Sequence, residues 1–224
     1  MTSIVTIDGP SGSGKGSVSR ILADKLSYGY LDSGALYRLL SIAAARGNVD
    51  LNDADSLADI AEHMDIEFQL SADGTFKILL GVEDVTSELR LEDTGAAASK
   101  IAAYAEVRQA LLLRQRAFAT GVGLVADGRD MGTVVFPDAE LKIYLTASVE
   151  ERTNRRYKEL LEKGEDVSLR ALAEQVRERD ERDMNRAESP LMAAADAIEL
   201  DSSYMNIDEV VDAIMAIIDF KRTT

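Results

Sequence analysis

The segment Gly9-Pro10-Ser11-Gly12-Ser13-Gly14-Lys15-Gly16-Ser17 narrows the choice of fold more than any other part of the chain. It follows the apolar run Ile4-Val5-Thr6-Ile7 and precedes Val18, Ile21, Leu22 and Leu26, which recur at helical spacing. A glycine-rich turn that ends in lysine between a buried strand and a helix is a phosphate-binding loop. The glycines let successive backbone N–H groups converge on phosphate oxygens, and the helix N-terminus adds a fixed partial positive charge. Lys15 supplies a mobile full charge that can follow the charge building on a bridging oxygen as a phosphoryl bond breaks. Residue 16 departs from the general motif. Glycine stands where a Ser or Thr would touch magnesium, and Ser17 comes one position late as a candidate metal ligand.

Five short apolar runs, at residues 4–7, 28–31, 124–126, 141–145 and 197–200, alternate with longer helical patterns. Strand, helix, strand repetition predicts an α/β fold with a five-stranded parallel sheet. The first, third and fourth runs are apolar on successive residues, as strands covered by helices on both faces require. Ligands of such sheets sit beyond the C-terminal ends of the strands. Ser148-x-x-Glu151 is a capping box for a helix that Gly164 stops, and Asn206-x-x-Glu209 opens the last helix. In that helix Ile207, Val210, Val211, Ile214, Ile217 and Ile218 form a stripe expected to lie against the sheet.

More chain lies between the helix near Leu36 and the strand at Leu124 than one crossover needs. Residues 48–103 are therefore expected to form a small α+β insertion, mounted on a core made of residues 1–47 and 104–224. Within it Asp53 can cap a short helix, Ile66-Glu67-Phe68-Gln69-Leu70 alternates as a strand, Ser71-Ala72-Asp73-Gly74 signals a hairpin turn, and residues 75–80 return.

The formal net charge of −15 repels polyanions, which argues against nucleic acid or an anionic membrane as the main partner. The absence of cysteine removes disulfides, thiolate catalysis and thiolate metal sites. The single histidine, His63, lies in a helical stretch far from any Gly-x-Ser-x-Gly turn and reads as ordinary. With no signal-like segment and no run of about 18 apolar residues, a cytoplasmic location is the expectation, and a monomer is expected.

In so acidic a chain, arginines near the loop carry information. Transfer of a phosphoryl group onto another phosphate needs no general base, because the attacking oxygen is already ionised; the obstacle is repulsion between two polyanions, which arginine forks relieve. Asp32-Ser33-Gly34-Ala35-Leu36-Tyr37-Arg38 follows the second strand, with Asp32 or Ser33 as helix cap and Arg38 a turn inside. Asp127-Gly128-Arg129-Asp130 closes the third strand, offering Asp127 to a magnesium ion through water and Arg129 to an acceptor phosphate. Further on, Leu169, Leu172 and Val176 continue at helical spacing into Arg179, Asp183 and Arg186, a stripe that passes from core packing to a polar cleft. Arg152, Arg155 and Arg156 form a cationic patch that reads either as a mobile lid over ATP or, through pairs such as Glu151 with Arg155, as surface stabilisation.

Together these segments, with Leu31-Asp32-Ser33-Gly34-Ala35-Leu36-Tyr37-Arg38, Asp127-Gly128-Arg129-Asp130-Met131-Gly132-Thr133-Val134-Val135-Phe136-Pro137 and Arg179-Asp180-Glu181-Arg182-Asp183-Met184-Asn185-Arg186, resemble bacterial cytidylate kinases. The resemblance spans essentially the whole chain. It implies a P-loop nucleoside monophosphate kinase fold with a monophosphate-binding insertion and a short lid at about residues 152–168. The implied activity is phosphoryl transfer from ATP to CMP or dCMP with Mg²⁺. Lys15, Arg38, Arg129 and Arg186 would be catalytic. ATP would lie on residues 9–17 with Arg155 and Arg156. Ser33, Arg38, Arg129 and Arg186 would serve the acceptor phosphate, Arg179 and Asp183 the ribose, and Ser99, Arg108 and Asp130 the base. A P-loop kinase for another nucleotide such as UMP, or for a small metabolite, is the alternative. A GTPase switch would need an Asn-Lys-x-Asp element, which the sequence lacks.

Overall fold

The computed structural model describes residues 2–70, 76–162, 164 and 167–223, and of residues 68–70 and 76 the backbone alone. The elements in chain order are β1 (Ser3–Asp8), α1 (Lys15–Leu26), β2 (Gly29–Asp32), α2 (Ser33–Arg46), α3 (Ala54–His63), β3 (Ile66–Leu70), β4 (Phe76–Leu80), β5 (Glu83–Asp84), α4 (Glu92–Ile101), α5 (Ala105–Arg116), β6 (Gly123–Gly128), β7 (Leu141–Thr146), α6 (Val149–Glu162), α7 (Leu169–Asn185), β8 (Ile198–Asp201) and α8 (Ile207–Thr223). A 3₁₀ turn covers Glu88–Arg90 and a π-helical turn covers Met131–Val135. Two compact units divide the chain, Met1–Asp32 with Phe118–Thr224, and Ser33–Ala117. Among the described residues no helix is long and apolar enough to cross a membrane.

The first unit is built on a five-stranded sheet in the order β2-β6-β1-β7-β8, every pairing parallel. The five apolar runs of the sequence are these strands. β1 is central, and its pairing with β6 on one side and β7 on the other aligns Asp8 with Gly128 and with Tyr144. The chain leaves β1 toward β2 and leaves β7 toward β8, so neighbouring strands send their connections in opposite directions. That divergence opens a crevice at the C-terminal rim, where open parallel sheets hold their ligands.

Odd-numbered residues of the central strands, Val5, Ile7, Val125, Leu141, Ile143 and Leu145, face Val18 and Leu22 of α1 and Val210, Val211, Ile214 and Ile218 of α8. The helical stripes expected for α1 and α8 thus pack on the core, except Ile207, the first residue of α8, which is exposed because it precedes the packed turns. Glu209 and Asn206 cap α8 reciprocally, Asn206 N donating to Glu209 Oε2 at 2.8 Å and Glu209 N to Asn206 Oδ1 at 3.0 Å. At α6 the Ser148 hydroxyl accepts from Glu151 N at 3.1 Å. On the other sheet face Thr6, Leu124, Ala126 and Lys142 are also buried, and the π-helical turn packs there so closely that a Cβ on Gly132 would lie 2.9 Å from Thr6 Oγ1.

α6 and α7 are joined by a buried ion pair. Arg152 Nη1 and Nη2 donate to Asp180 Oδ1 and Oδ2 at 2.9 and 2.5 Å, and Arg152 Nε donates to the Ala147 carbonyl at 2.9 Å. Leu172 of α7 is buried, but Leu169, expected on the same inward stripe, is exposed. It occupies the first turn of its helix, one turn before the stripe reaches the core.

The second unit holds α2 to α5 and a three-stranded sheet in the order β3-β4-β5. β3 and β4 pair antiparallel from Ile66 opposite Leu80 to Leu70 opposite Phe76. The turn signal at residues 71–74, and Thr75, lie outside the described residues. Asp53 caps α3 as expected, accepting from Ser56 N at 3.1 Å. The expected insertion at residues 48–103 falls within this unit, which also includes α2 and α5. Leu39, Leu40, Leu57, Ala61, Ile101, Val107 and Leu111 bury its interior.

Removing one partner of the α6–α7 ion pair strands a buried charge, which costs about 3–5 kcal/mol. Asp180→Ala is therefore expected to lower unfolding free energy by that amount in a urea titration, and Arg152→Met with Asp180→Leu to recover most of it. Near-wild-type stability of Asp180→Ala would show that the pair does not hold the helices.

Candidate active site

The loop after β1 owes its shape to close backbone approaches. A Cβ on Gly9 would lie 2.1 Å from the Leu145 carbonyl oxygen, so only glycine lets the chain leave β1 past β7. Gly12 and Gly14 take left-handed φ angles of 78° and 89°, which turn the loop into the N-terminus of α1. Lys15 folds back over the loop, its Nζ donating to the Pro10 carbonyl at 3.1 Å. Burial, and then the neighbouring Arg129 guanidinium, lower the Lys15 ammonium to about 7. A lysine held with so little solvation binds a polyanion more strongly than a solvated one. Ser17 is exposed, whereas residue 16 faces the end of β6: a Cβ on Gly16 would meet Asp127 Oδ2 at 3.4 Å.

β2 and β6 end side by side, with Asp32 opposite Asp127. Burial, then repulsion from Asp32, pushes the Asp127 carboxyl up to about 7. Tyr30, two residues before Asp32, donates its hydroxyl to Asp127 Oδ2 at 2.8 Å. Burial and then the Asp127 charge push the Tyr30 phenol far above its ordinary range, so it stays a donor. The residue after β6, Arg129, reaches the opposite way. Its Nε donates to Asp183 Oδ2 of α7 at 2.8 Å and its Nη1 to the Gly128 carbonyl at 3.2 Å. Burial opposes ionisation of Asp183, yet Arg129, with Arg179 and Arg186, holds its carboxyl below the usual value. Lys15, Asp32, Asp127, Arg129 and Arg179 therefore share one electrostatic neighbourhood at the rim, with Asp183 and Arg186 linked to it through Arg129.

The sequence stripe did not single out Asp8, the last residue of β1. Its Oδ1 and Oδ2 accept from the Met131 and Gly132 N–H groups, both at 2.8 Å, and so fix the turn that follows Arg129 and Asp130. Burial pushes the Asp8 carboxyl up to about 6 although both N–H groups pull the other way. A carboxylate closing a largely apolar strand at the ligand rim was the available signal. Asp130 itself is buried beside this turn.

The cationic patch on α6 meets the phosphate loop on its carbonyl side. Arg152 and Thr153 are buried, and Arg152 Nη1 also donates to the Ser11 carbonyl of the loop at 3.0 Å. Arg155 donates to the Ser13 carbonyl at 3.3 Å, to the Ser202 carbonyl at 2.6 Å and to Glu151 Oε1 at 2.9 Å. Arg156 pairs with Glu159 at 2.6 Å. The Arg155 guanidinium, expected to bind ATP, meets the loop on its carbonyl side and ties it to the exit of β8, because the first two turns of α6 lie against the loop. Residues 163, 165 and 166 of the expected lid lie outside the described residues.

In the second unit Ser33 is the first residue of α2, and its hydroxyl, expected as a cap, donates instead to Gln115 Oε1 of α5 at 2.8 Å. Arg38 is half-buried on the same helix. Ser99 and Arg108 are buried, the Arg108 guanidinium 5.9 Å from the centroid of the Tyr37 ring and its Nη1 donating to the Ala102 carbonyl at 3.3 Å.

Comparison with known proteins agrees with these features. The family model described as cytidylate kinase matches residues 5–220. A cytidylate kinase of Vibrio cholerae serotype O1 is 56% identical over 220 residues, covering 98% of this chain and 97% of that protein. One from Stutzerimonas stutzeri is 56% identical over 214 residues, covering 95% and 93%, and one from Aliivibrio salmonicida is 55% identical over 218 residues, covering 97% of each. With the phosphate loop, the parallel sheet and the rim of lysine, arginine and aspartate all carried on one matching length of chain, this protein belongs to the cytidylate kinase family.

Proposed function

We propose that the protein transfers the γ-phosphoryl group of ATP to CMP or dCMP, releasing ADP and CDP or dCDP. The observation that carries this reading is the gathering of Lys15, Arg129 and Arg179 at the sheet rim of a chain whose net charge is −15. A buried lysine whose charge two neighbouring guanidiniums oppose has a use when a polyanion arrives. In the reaction an oxygen of the acceptor phosphate attacks the γ-phosphorus while the bond to the β–γ bridging oxygen breaks, and that oxygen leaves on ADP. The attacking oxygen is already ionised, so no general base is required, and the chain's task is positioning and charge stabilisation. Backbone N–H groups of residues 9–17, Pro10 excepted, hold the donor phosphates. Lys15 follows the bridging oxygen. Arg129, with Arg38 and Arg186 by resemblance, screens the two phosphates from each other. Asp183 keeps the Arg129 fork aimed, and with Arg179 serves the ribose.

The residues fit a magnesium ion. Asp127 and Asp32 lie side by side with their charges in conflict, which a divalent cation relieves, and among the described residues no cluster of three or more potential ligands forms a cage. Magnesium characteristically takes one or two carboxylates, often through water, with substrate phosphates completing the shell. Asp127 would hold it, with Ser17 a lesser candidate, and the bound ion would neutralise charge on the β- and γ-oxygens. Asp130 and Ser99 would accept from the cytosine amine while Arg108 donates to the ring acceptors.

Uracil would set a carbonyl oxygen against the Asp130 carboxylate, a mismatch worth about 1–3 kcal/mol. ADP release from ATP with CMP, dCMP, UMP, AMP or shikimate should therefore show CMP and dCMP favoured over UMP by roughly 5- to 150-fold in kcat/KM; equal rates with CMP and UMP would remove the base-reading role. Lys15→Ala and Arg129→Ala should each abolish turnover while leaving the circular dichroism spectrum unchanged, and near-normal turnover in either would remove that residue from the mechanism.

The depressed Lys15 value sets a pH dependence. Well below about pH 7 the ammonium is already charged in the free protein; above it the amine must take up a proton when ATP binds, because the phosphates restore its ordinary value. With magnesium removed, the Kd for ATP should rise between about pH 7 and pH 9 by up to about tenfold per unit, and stay nearly flat in Lys15→Arg, whose charge is permanent. Parallel profiles for the two proteins would sink this account.

A further inference from the structure

We propose that Tyr30 is a positioning residue for Asp127, its phenol replacing the hydroxyl that this phosphate loop lacks at residue 16. The inference rests on the reading of Asp127 as the carboxylate that holds magnesium through water.

The general loop places a Ser or Thr hydroxyl directly after its lysine, beside the metal. Here that residue is Gly16, and the hydroxyl one position later, on Ser17, is exposed. A Cβ on Gly16 would lie 3.4 Å from Asp127 Oδ2 and 3.8 Å from the Tyr30 hydroxyl. The missing side chain and the Tyr30 hydroxyl therefore border the same small space, and the phenol, 2.8 Å from Asp127 Oδ2, bonds the carboxylate oxygen that faces it. Among the described residues Asp127 Oδ1 takes no hydrogen bond from protein. Tying Oδ2 fixes the carboxylate plane and leaves Oδ1 to accept from water on a cation.

Tyr30 is well placed to hold still while doing this. β2 pairs with β6 so that Tyr30 stands opposite Val125 and Asp32 opposite Asp127, putting the ring and the carboxylate on one face of the sheet. The ring packs against the main hydrophobic cluster, and the Arg20 guanidinium of α1 covers it at 5.9 Å from the ring centroid. A phenol on an edge strand thus supplies, at the carboxylate oxygen that faces residue 16, what a loop hydroxyl supplies elsewhere.

The test compares wild type, Tyr30→Phe, Tyr30→Phe with Gly16→Ser, and Asp127→Asn. Mn²⁺ affinity is read by electron paramagnetic resonance on the intact protein with a non-hydrolysable ATP analogue, and the free-Mg²⁺ dependence of turnover is read alongside. Tyr30→Phe is expected to weaken Mn²⁺ binding by about tenfold and shift the Mg²⁺ requirement equally, with KM for CMP unchanged. Gly16→Ser should restore most of the Mn²⁺ affinity in the Tyr30→Phe background. Weakened Mn²⁺ binding in Asp127→Asn but not in Tyr30→Phe overturns the role of Tyr30 alone. A Tyr30→Phe loss that Gly16→Ser leaves unrepaired overturns the replacement of one hydroxyl by the other. Unchanged Mn²⁺ binding in Asp127→Asn overturns the metal reading beneath both.

Discussion

The buried carboxylate at the end of the central strand is the constraint on which the rim depends. Asp8 takes both N–H groups of the Met131–Gly132 step at 2.8 Å, and its neighbour Gly9 slips past the Leu145 carbonyl where no Cβ fits. The last residue of β1 and the one that follows it thereby fix the two loops that matter, the one carrying Lys15 and the one carrying Arg129 and Asp130. Backbone N–H groups at the head of a helical turn are otherwise unsatisfied, so an ionised acceptor there is worth more than a neutral one. The arrangement explains why a polar residue is tolerated fully buried at the end of an apolar strand.

Around that anchor the electrostatics are deliberately unbalanced. Lys15 is lowered by burial and by Arg129, Asp127 is raised by burial and by Asp32, and neither finds its full complement within the unit. Pre-organised groups of this kind cost stability in the empty protein and return it when charged substrates arrive, since no solvent must reorganise around them. Asp183 is the exception, held ionised by Arg129, whose Nε donates to it at 2.8 Å. The acidic remainder of the surface then serves a second purpose: it leaves the rim as the place where a nucleotide's charge is welcome.

What the sequence made legible follows from the range of the interactions. Strands and helical stripes are patterns within a dozen residues, and the five strands, the α8 stripe beyond Ile207, and the caps at Asp53, Ser148 and Asn206 were all readable. Tyr30 and Asp127 are 97 residues apart, Asp8 and Met131 123 apart, and Arg152 and Asp180 28 apart. No periodicity reaches across such distances, so these partners emerged only with the fold. Leu169 was misread for a related reason. Helical spacing gives the face of a residue but not how far along the helix the core extends, and α7 begins one turn before its packing does.

Arg155 shows a second use for an arginine beside a phosphate loop. An arginine cluster beside a phosphate loop suggests phosphate, because guanidinium and phosphate suit each other. The same fork also suits backbone carbonyls, and a phosphate loop is rich in them: once its N–H groups turn inward toward a ligand, its carbonyls must turn outward and find donors elsewhere. Arg152 on the Ser11 carbonyl and Arg155 on the Ser13 carbonyl meet that need. Arginines near such a loop therefore divide by the side they approach from. Arg152 and Arg155 reach its carbonyl side, whereas Arg129 and Arg179, from the ends of β6 and α7, share the electrostatic neighbourhood of the Lys15 ammonium.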